Sequence, residues 1–388
     1  MYNARMRRSS LVALVFALGC SSSSSNIFDT AGNDGGDPNN PNDPFNTDAG
    51  FKGGEGGPNG GGCVPDPGNF DIPGNNCDDD GDGKTDNAPL CDTGLAKGGD
   101  GYAFANSIGL CQHASGSKWG VISATYTQGY NRNDAPNPTQ HGILPKFGSA
   151  IKPRQGSALG VLSSGMAEEK DTCNAFGGTF KGGCPMTGAG AAPPGYPKPA
   201  GKCAVSNKVN DVATVKLTIK VPNNAKGLAF DFDFYSGEWP EYVCTTYNDA
   251  FIAYLHSTAF NGGSADNISF DAKNNPVSVN NGFFDRCSPA NAMVGCLGVP
   301  TTSACSGGNA ELQGTGFYAP GNNCGQSDSG GGATGWLTTQ APVAAGETIT
   351  IELMVWDTGD QAYDSSVLID NWLWQAGATN VGTNRPPN

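Results

Sequence analysis

Residues 213–221, ATVKLTIKV, alternate strictly between apolar and polar side chains. Val215, Leu217 and Ile219 fall on one face of this segment, and lysines and threonines fall on the other. A period of two residues is typical of a β-strand that buries one face. Residues 347–356 and 365–374 are rich in β-branched, leucine and tryptophan side chains and predict two further strands.

The region from residue 100 to residue 377 predicts an all-β fold. Turn signals such as Asn261-Gly262 and Asn281-Gly282 separate its short apolar segments, and long helical periods are absent. Strands do not alternate with helical segments, which excludes a doubly wound parallel sheet. We therefore expect an antiparallel, jelly-roll-like β-sandwich whose unusual length is taken up by long, disulfide-pinned loops.

The N-terminus has the pattern of a secretory signal over residues 1–19. Three arginines precede the apolar run LVALVFAL, which is too short to span a bilayer. The following ALGC resembles the lipobox of bacterial lipoproteins, which implies lipidation of Cys20 and, with Ser21 next, an outer-membrane or cell-surface address. Ala17 replaces the usual leucine, so cleavage without lipidation is the alternative.

Composition divides the remaining chain. Residues 20–62 are rich in Ser, Asn, Gly and Pro and predict a disordered tether, because they have too little apolar surface to offset chain entropy. Residues 63–99 form a Cys- and Asp-rich segment, and residues 378–388 are expected to be a disordered tail.

The cysteines predict a disulfide framework. There are 13, and assigning Cys20 to lipid leaves an even set, as expected for an exported chain. No CxxC pair is present, which argues against zinc or redox chemistry. The sequence leaves the pairing open, with Cys77–Cys91 as one candidate bridge. The twelve are Cys63, Cys77, Cys91, Cys111, Cys173, Cys184, Cys203, Cys244, Cys287, Cys296, Cys305 and Cys324.

The charge of the chain restricts its partners. With 22 basic and 36 acidic residues, the net charge is −14, which disfavours nucleic acid. Excess carboxylates instead suit divalent cations, chiefly calcium outside a cell.

The segment CDDDGDGKTD contains the first candidate calcium site. Asp78, Asp80 and Asp82 occupy positions 1, 3 and 5 of a calcium loop, and Asp86 occupies position 9. Position 12 is proline rather than glutamate, which excludes an EF-hand. We expect a small calcium loop, completed by Asp92, and the alternative is an acidic spacer.

Residues 230–251, FDFDFYSGEWPEYVCTTYNDAF, resemble the central motif of the choice-of-anchor L domain of bacterial surface proteins. Weaker matches flank it at residues 156–165, 275–281 and 357–370, so that the resemblance covers about residues 100–377. It implies surface display and no established enzymatic activity. Anchors in that family are usually C-terminal, whereas the candidate anchor here is N-terminal. The matching residues are Phe232, Phe234, Ser236, Glu238, Trp239, Pro240, Glu241, Tyr242, Val243, Tyr247, Asn248, Asp249 and Phe251.

Two acidic blocks form the second candidate calcium site. If they lie at adjacent strand ends, their oxygens would jointly chelate one cation, and otherwise they are separate solvated turns. Asp231 and Asp233 alternate with phenylalanines and are expected to point outward. The candidate ligands are Glu238, Asn248, Asp249, Asp357, Asp360 and Asp364.

Enzyme signatures are weak. The three histidines lie outside HExxH, and no serine lies in GxSxG. Glu238 and Glu241 form the one candidate acid pair, as in a glycosidase. Four tryptophans, Trp336, Trp356, Trp372 and Trp374, suit either a sugar-stacking platform or, preferably, the sandwich core.

The sequence thus predicts a non-catalytic, surface-displayed lipoprotein that binds a ligand or mediates adhesion and is stabilised by calcium and disulfides. Its expected partners are the membrane, through the lipid, and an extracellular polysaccharide or protein. The alternatives are a carbohydrate-active enzyme that uses Glu238 and Glu241, and a purely structural envelope protein.

Lipidation of Cys20 is directly testable. Because the thiol of this residue is the acceptor, metabolic palmitate labelling should mark the wild type and leave Cys20→Ala unlabelled. Equal absence of label in both proteins would contradict lipidation and leave a secreted, unanchored protein.

Overall fold

Two antiparallel sheets pack face to face in the computed structural model. It describes residues 63–88, 90–170, 181, 183–184, 186–239, 242–280, 283, 292–293, 300–301, 308–318 and 331–386. The signal, the tether, Cys20 and Glu241 lie outside these residues, as do Cys173, Cys287, Cys296, Cys305 and Cys324.

The elements are short and mostly β. Helix α1 (Gly101–Ser107) and two 3₁₀ turns (Asn261–Gly263 and Gly308–Glu311) accompany the strands. The strands are β1 (Gly120–Thr127), β2 (His141–Leu144), β3 (Leu159–Ser163), β4 (Val209–Lys220), β5 (Gly227–Ser236), β6 (Ala250–His256), β7 (Asp266–Asn267), β8 (Val277–Ser278), β9 (Ala292–Met293), β10 (Pro300–Thr301), β11 (Gly332–Ala333), β12 (Leu337–Pro342), β13 (Thr348–Thr358), β14 (Ser365–Gln375) and β15 (Gly382–Asn384).

The first sheet has the order β1-β4-β13-β6-β7, with β8 also paired to β6. The second has the order β15-β12-β5-β14-β3-β2, with β11 also paired to β5. The consecutive strands β13 and β14 belong to different sheets, so the turn between them joins the two layers. β9 and β10 form a separate two-stranded ladder. The predicted antiparallel sandwich is confirmed.

Aromatic side chains connect the two sheets across the core. The rings of Phe232 on β5 and Phe251 on β6 have centroids 4.7 Å apart. Within the second sheet, Phe230 stacks on Trp372 at 5.7 Å. The predicted strands correspond to β4, β13 and β14, and the apolar face of β4 is fully buried as the alternation requires.

The outer face of the second sheet is also covered. Asp231 and Asp233 lie on this face, opposite the phenylalanines, as predicted, but an outward direction does not expose them to solvent. Both are buried. Asp231 accepts a hydrogen bond from Arg154 Nε at 3.0 Å, and Asp233 accepts one from the Tyr235 hydroxyl at 2.8 Å. The alternation shows which side chains share a face, and it does not show whether a loop covers that face.

A second apolar cluster forms this cover. Phe147 and Phe317 come from irregular segments and pack on Tyr235 with ring centroids 5.2 and 5.5 Å away. Leu368 of β14 belongs to the same cluster. The sandwich therefore has an inner core between the sheets and an outer core beneath loops.

The Cys- and Asp-rich segment packs on the sandwich. The backbone of Phe70 and the side chain of Asn224 exchange two hydrogen bonds, of 3.0 and 2.8 Å. Trp119 Nε1 donates to the carbonyl oxygen of Asn69 at 2.5 Å. Asp92 accepts hydrogen bonds from the backbone of Ser157 and, at 2.9 Å, of Ala158. Asp92 therefore anchors the segment to the sandwich. It does not complete the candidate calcium loop of residues 78–86, here called the acidic loop.

The disulfides differ from the predicted Cys77–Cys91 bridge, which was wrong. The observed pairs are Cys63–Cys77, Cys91–Cys111 and Cys203–Cys244, and Cys184 is disulfide-bonded as well. Cys91 is not the partner of Cys77, because it lies beside the end of α1, where its Sγ is 3.4 Å from the carbonyl oxygen of Asn106.

Part of the C-terminal tail is ordered, contrary to the prediction for residues 378–388. Strand β15 pairs with β12, and Arg385 donates to the carbonyl oxygens of Thr334 and Phe283 at 2.6 and 3.0 Å. Three residues are too few to show a strand period in sequence. Among the described residues, no helix is long and apolar enough to cross a membrane.

Burial of Asp233 makes stability depend on pH. Burial is the main cause that raises the pKa of Asp233 to about 8, against about 4 in an unfolded chain. The folded state therefore binds the proton more tightly, and stability falls as the pH rises from about 4 through about 8. Asp233→Asn should differ least from the wild type near pH 4. Its free energy of unfolding should exceed that of the wild type by about 2–3 kcal/mol near pH 6 and by about 4–6 kcal/mol near pH 9, measured by urea unfolding.

Asp134→Asn is the matched control, because this side chain is 66% exposed. Its stability should follow the wild type at every pH. A constant difference between Asp233→Asn and the wild type from pH 5 to about pH 9 would contradict the assignment.

Candidate functional site

Four acidic side chains converge at one end of the sandwich. Glu238 follows β5, Asp249 precedes β6, Asp357 lies near the end of β13, and Asp364 precedes β14. Because neighbouring strands are antiparallel, the end of one strand lies beside the start of the next: Ser236 pairs with Ser365, and Trp356 pairs with Ala250. The two distant acidic blocks of the sequence therefore meet.

These four side chains are buried. The exposed fraction is 2% for Glu238, 1% for Asp357 and 0% for Asp249 and Asp364. Isolated carboxylates are rarely buried without hydrogen bonds or an opposite charge. The cluster, here called the end-acid cluster, therefore requires a specific account of each carboxyl group.

Asp249 is the best satisfied member of the end-acid cluster. Its Oδ1 accepts the backbone N–H of Thr358 at 2.8 Å, and its Oδ2 accepts the Ser365 hydroxyl at 2.7 Å. Its own N–H is directed at Glu238 Oε2 over 3.4 Å. Asp249 thus ties the ends of β6, β13 and β14 together.

Asp357 is the least satisfied. Neither of its buried carboxylate oxygens has a hydrogen-bond partner. The Ser164 hydroxyl and the Asp249 carboxyl group lie beside it. The hydroxyl is directed to the carbonyl oxygen of Ser365 at 3.3 Å, and a proton shared with Asp249 would satisfy Asp357 without a cation. Such a buried, unpaired carboxyl group destabilises the fold unless it is protonated or binds a cation.

Burial and mutual repulsion raise the pKa values of the cluster. Burial is the main cause for Asp357 and Glu238, whose pKa values lie well above their usual range, and the charge of Asp249 adds to both. The pKa of Asp249 is raised to about 7, mainly by burial, although Ser365 and Thr358 lower it in part. These groups titrate together and hold protons or a cation near neutral pH.

Asp364 is held by the backbone. Its Oδ1 accepts the N–H of Cys184 at 3.2 Å, and its carbonyl oxygen accepts the N–H of Gly237 at 3.0 Å. A Cβ atom at Gly165 would lie 1.7 Å from Asp364 Oδ2. Glycine at this position therefore leaves the space that the carboxyl group occupies.

A family model independently covers this cluster. Residues 201–372 match the model described as the choice-of-anchor L domain. This part of the chain is similar to the choice-of-anchor L domain. All four acids of the end-acid cluster lie within the match. The match supports a location at the cell surface, and the matched family is not a known enzyme family. Comparison with curated proteins and with solved structures found no match.

Two of the six predicted ligands, Asn248 and Asp360, are not members of the end-acid cluster. The side chain of Asn248 accepts the N–H of Asn280 at 3.1 Å and so supports the loop. Asp360 is exposed at the rim, where its carboxylate accepts the N–H of Ala362 at 3.1 Å. Its charge nevertheless contributes to the raised pKa values of Glu238 and Asp249. The structure brings together the other four.

Sequence reasoning missed Asp211. It is fully buried, accepts hydrogen bonds from the backbone of Thr187 and Gly188 at 2.7 and 2.6 Å, and raises the pKa of Asp357 by its charge. In the sequence, only its position two residues before the apolar Ala213 on β4 could have indicated that Asp211 is buried.

The acidic loop has a different geometry from the one predicted. In the part of the chain that the structure describes, carboxylate oxygens of Asp71, Asp78 and Asp80 all lie within 4.8 Å of one another. Asp82 instead accepts the N–H of Lys84, and Asp86 accepts that of Asn76, at 2.8 and 3.1 Å.

Asp71 was missed because it precedes the loop motif. It accepts the backbone N–H groups of Asp79 and Asn87 at 2.8 and 3.0 Å and organises the loop. No spacing rule for a D-x-D-x-D-G loop includes a residue seven positions upstream.

The tryptophans favour the core. Trp356, Trp372 and Trp374 are buried, and Trp336 packs against the outer apolar cluster. The Trp372 and Trp374 rings contact each other edge to face at 5.6 Å. None of the three buried rings offers a face for a sugar at the surface.

Replacing Gly165 should disturb the end-acid cluster. In Gly165→Ala, the methyl group overlaps Asp364 Oδ2, so we expect the free energy of unfolding to fall by about 1–3 kcal/mol. Gly98→Ala is the control, because a Cβ atom there would meet nothing within 4 Å. Denaturant unfolding measures both.

The double variant Gly165→Ala/Asp364→Ala tests the cause. Removing the carboxyl group should recover part of the loss caused by Gly165→Ala, which would appear as a coupling energy in a double-mutant cycle. Strict additivity of the two changes would refute the clash.

Proposed function

We propose that the protein is a non-catalytic, surface-displayed lipoprotein whose choice-of-anchor L domain is stabilised by calcium and disulfides and presents a ligand-binding or adhesive surface. The family match supports the surface location. The observation that carries the calcium assignment is Asp357, which is 1% exposed and has two unpartnered carboxylate oxygens facing other acids.

Calcium suits the end-acid cluster better than other cations. Calcium takes six to eight oxygen ligands in flexible arrangements, and carboxylates supply them. Asp357 would hold the ion together with Asp364, whose charge acts on Asp357, whereas Asp249 would position β13 and β14 through its hydrogen bonds. Among the described residues, three carboxylates with oxygens within 4.8 Å of one another occur at Asp71, Asp78 and Asp80, so ion binding here requires the end acids to move closer together. A bound cation would also remove the repulsion that raises their pKa values.

The geometry of Glu238 favours this structural role over catalysis. A glycosidase places its two carboxyl groups on either side of a bond that must enter an open cleft. Glu238 is 2% exposed and is directed at the backbone of Asp249. An acid pair of Glu238 with Glu241 therefore has less support, and Glu241 lies outside the described residues. A purely structural envelope role has less support as well, because it would need no cation.

The acidic loop is a second proposed calcium site, of modest affinity. Asp71, Asp78 and Asp80 supply the clustered oxygens, and Asp82 and Asp86 lie at the periphery. Partial burial is the main cause that raises the pKa of Asp80, and the charges of Asp71, Asp82 and Asp78 add to it. A bound cation would relieve this repulsion.

Calcium should raise the melting temperature of the full chain. A ligand that binds only the folded state stabilises it by about 2.7 kcal/mol at a hundredfold excess over its Kd, which corresponds to a rise of several degrees. Asp357→Asn should lose the larger part of this shift, because an amide replaces the unpartnered carboxylate. Differential scanning fluorimetry in calcium and in EGTA measures the shift.

Two further variants separate the sites. Asp78→Asn should retain the shift that belongs to the sandwich, and Asp134→Asn, a change in an exposed acid, should retain all of it. If chelation leaves the melting temperature of Asp78→Asn unchanged, the end-acid cluster binds no calcium and holds protons instead.

A further inference from the structure

A groove of about 550 Å³ lies beside the outer edge of the first sheet, next to β7. β7 pairs with the C-terminal half of β6, where Leu255 faces Asp266. Asp249 lies six residues earlier along the chain, or roughly 20 Å away along a strand. The groove and the end-acid cluster are therefore separate sites, and its volume is in the range of small-molecule pockets.

Aromatic rings form the apolar part of the groove. Tyr196 and Phe270 are both partly exposed, and the buried Phe260 lines the groove beside them. The Tyr196 ring packs edge to face against Tyr254 at 6.5 Å, which fixes its orientation.

Polar groups surround these rings. The Tyr196 hydroxyl donates to Asp266 Oδ1 at 3.1 Å, and the N–H of Asn267 donates to the same oxygen at 2.7 Å. Asp266 Oδ2 accepts no hydrogen bond from the described residues and stays open to a ligand. The lining also includes the exposed amide side chains of Asn261, Asn274 and Asn380.

The loops of the groove are fixed before any ligand arrives. Asp271 accepts the N–H groups of Lys273 and Asn275, both at 2.9 Å, and so shapes the turn that carries Asn274. Lys198 Nζ reaches the carbonyl oxygen of Asn274 at 3.4 Å and closes the rim. Preorganised polar groups lose little entropy on binding.

The charge of the groove restricts its ligand. Lys198 and Asp266 are the charged residues of the lining, and they balance each other. The whole chain has a net charge of −14, which repels anionic polymers. The favoured ligand is therefore uncharged, with one apolar face and several hydroxyl groups.

We propose that this groove binds a neutral carbohydrate. The C–H face of a sugar ring would pack on Tyr196 and Phe270, and its hydroxyl groups would bond Asp266 Oδ2 and the amide side chains. Asp266 is the one carboxyl group of the lining, so the acid pair of a glycosidase is not present in the groove. The proposal goes beyond the proposed function because it assigns a ligand class and a site, and it does not depend on calcium.

Affinity electrophoresis of the full chain tests the groove. Non-denaturing gels would contain dextran, laminarin or galactomannan as neutral probes and alginate or heparin as anionic probes. We expect retardation by at least one neutral probe and by neither anionic probe. Asp266→Asn should weaken that binding about tenfold, as expected for a lost hydrogen bond to a charged group.

Phe270→Ala and Asn380→Ala provide independent variants. Loss of the Phe270 ring should weaken carbohydrate binding about fivefold to tenfold. Asn380→Ala should also weaken binding, because it removes an amide of the lining, and it should leave the fold unchanged because the side chain is exposed. Asp134→Asn, an exposed acid elsewhere, should bind like the wild type, and melting temperatures confirm that each variant is folded.

Three results would overturn the proposal. The first is that the protein binds none of the neutral probes while a dextran-binding lectin is retarded in the same gels. The second is that it binds only alginate or heparin. The third is that Asp266→Asn and Phe270→Ala both bind as tightly as the wild type. Any of these would leave the calcium assignment intact, because that rests on melting temperatures of variants in the end-acid cluster.

Discussion

Complete burial of β5 is the constraint on which the rest of the structure depends. All ten of its residues are buried, although its sequence alternates phenylalanine with aspartate. One face meets the first sheet through Phe232, and the other needs a cover of its own. Loops that contain Phe147 and Phe317 supply that cover, and Arg154 pairs with Asp231 beneath it. The length of the domain, beyond that of a simple sandwich, follows from this second core.

The same constraint shapes the end-acid cluster. Because β5 is buried on both faces, Glu238, which follows it, also lies in the interior. There it is close to Asp249, at the end of the sandwich that also contains Asp357 and Asp364. Each acid comes from a strand end, and antiparallel pairing places these ends side by side. Because β13 and β14 lie in different sheets, whatever neutralises Asp357 also holds the two layers together at this end. This gives a physical reason for acids in an otherwise apolar core.

The sequence predicted those features that depend on local periodicity. The strands β4, β13 and β14 and the buried faces of Phe230 and Val215 follow from alternation. Whether the two acidic blocks meet was left open between adjacent strand ends and separate turns. Features that depend on the path of irregular loops could not be predicted from the sequence. The cover over Asp233, the Cys91–Cys111 pair and the role of Asp71 all require knowing where residues distant in sequence return. The groove beside β7 likewise draws on several loops, and no one of them carries a recognisable motif.

The two N-terminal disulfides have a mechanical consequence. Cys63–Cys77 and Cys91–Cys111 span 14 and 20 residues. Tension applied from the N-terminal side enters at Cys63 and passes through the sulfur atoms, bypassing the residues within each covalent loop. At about 3.4 Å per residue, these loops would otherwise lengthen the chain by roughly 100 Å under load. The bridges therefore shorten the extension available to a pulled molecule and keep α1 outside the line of force.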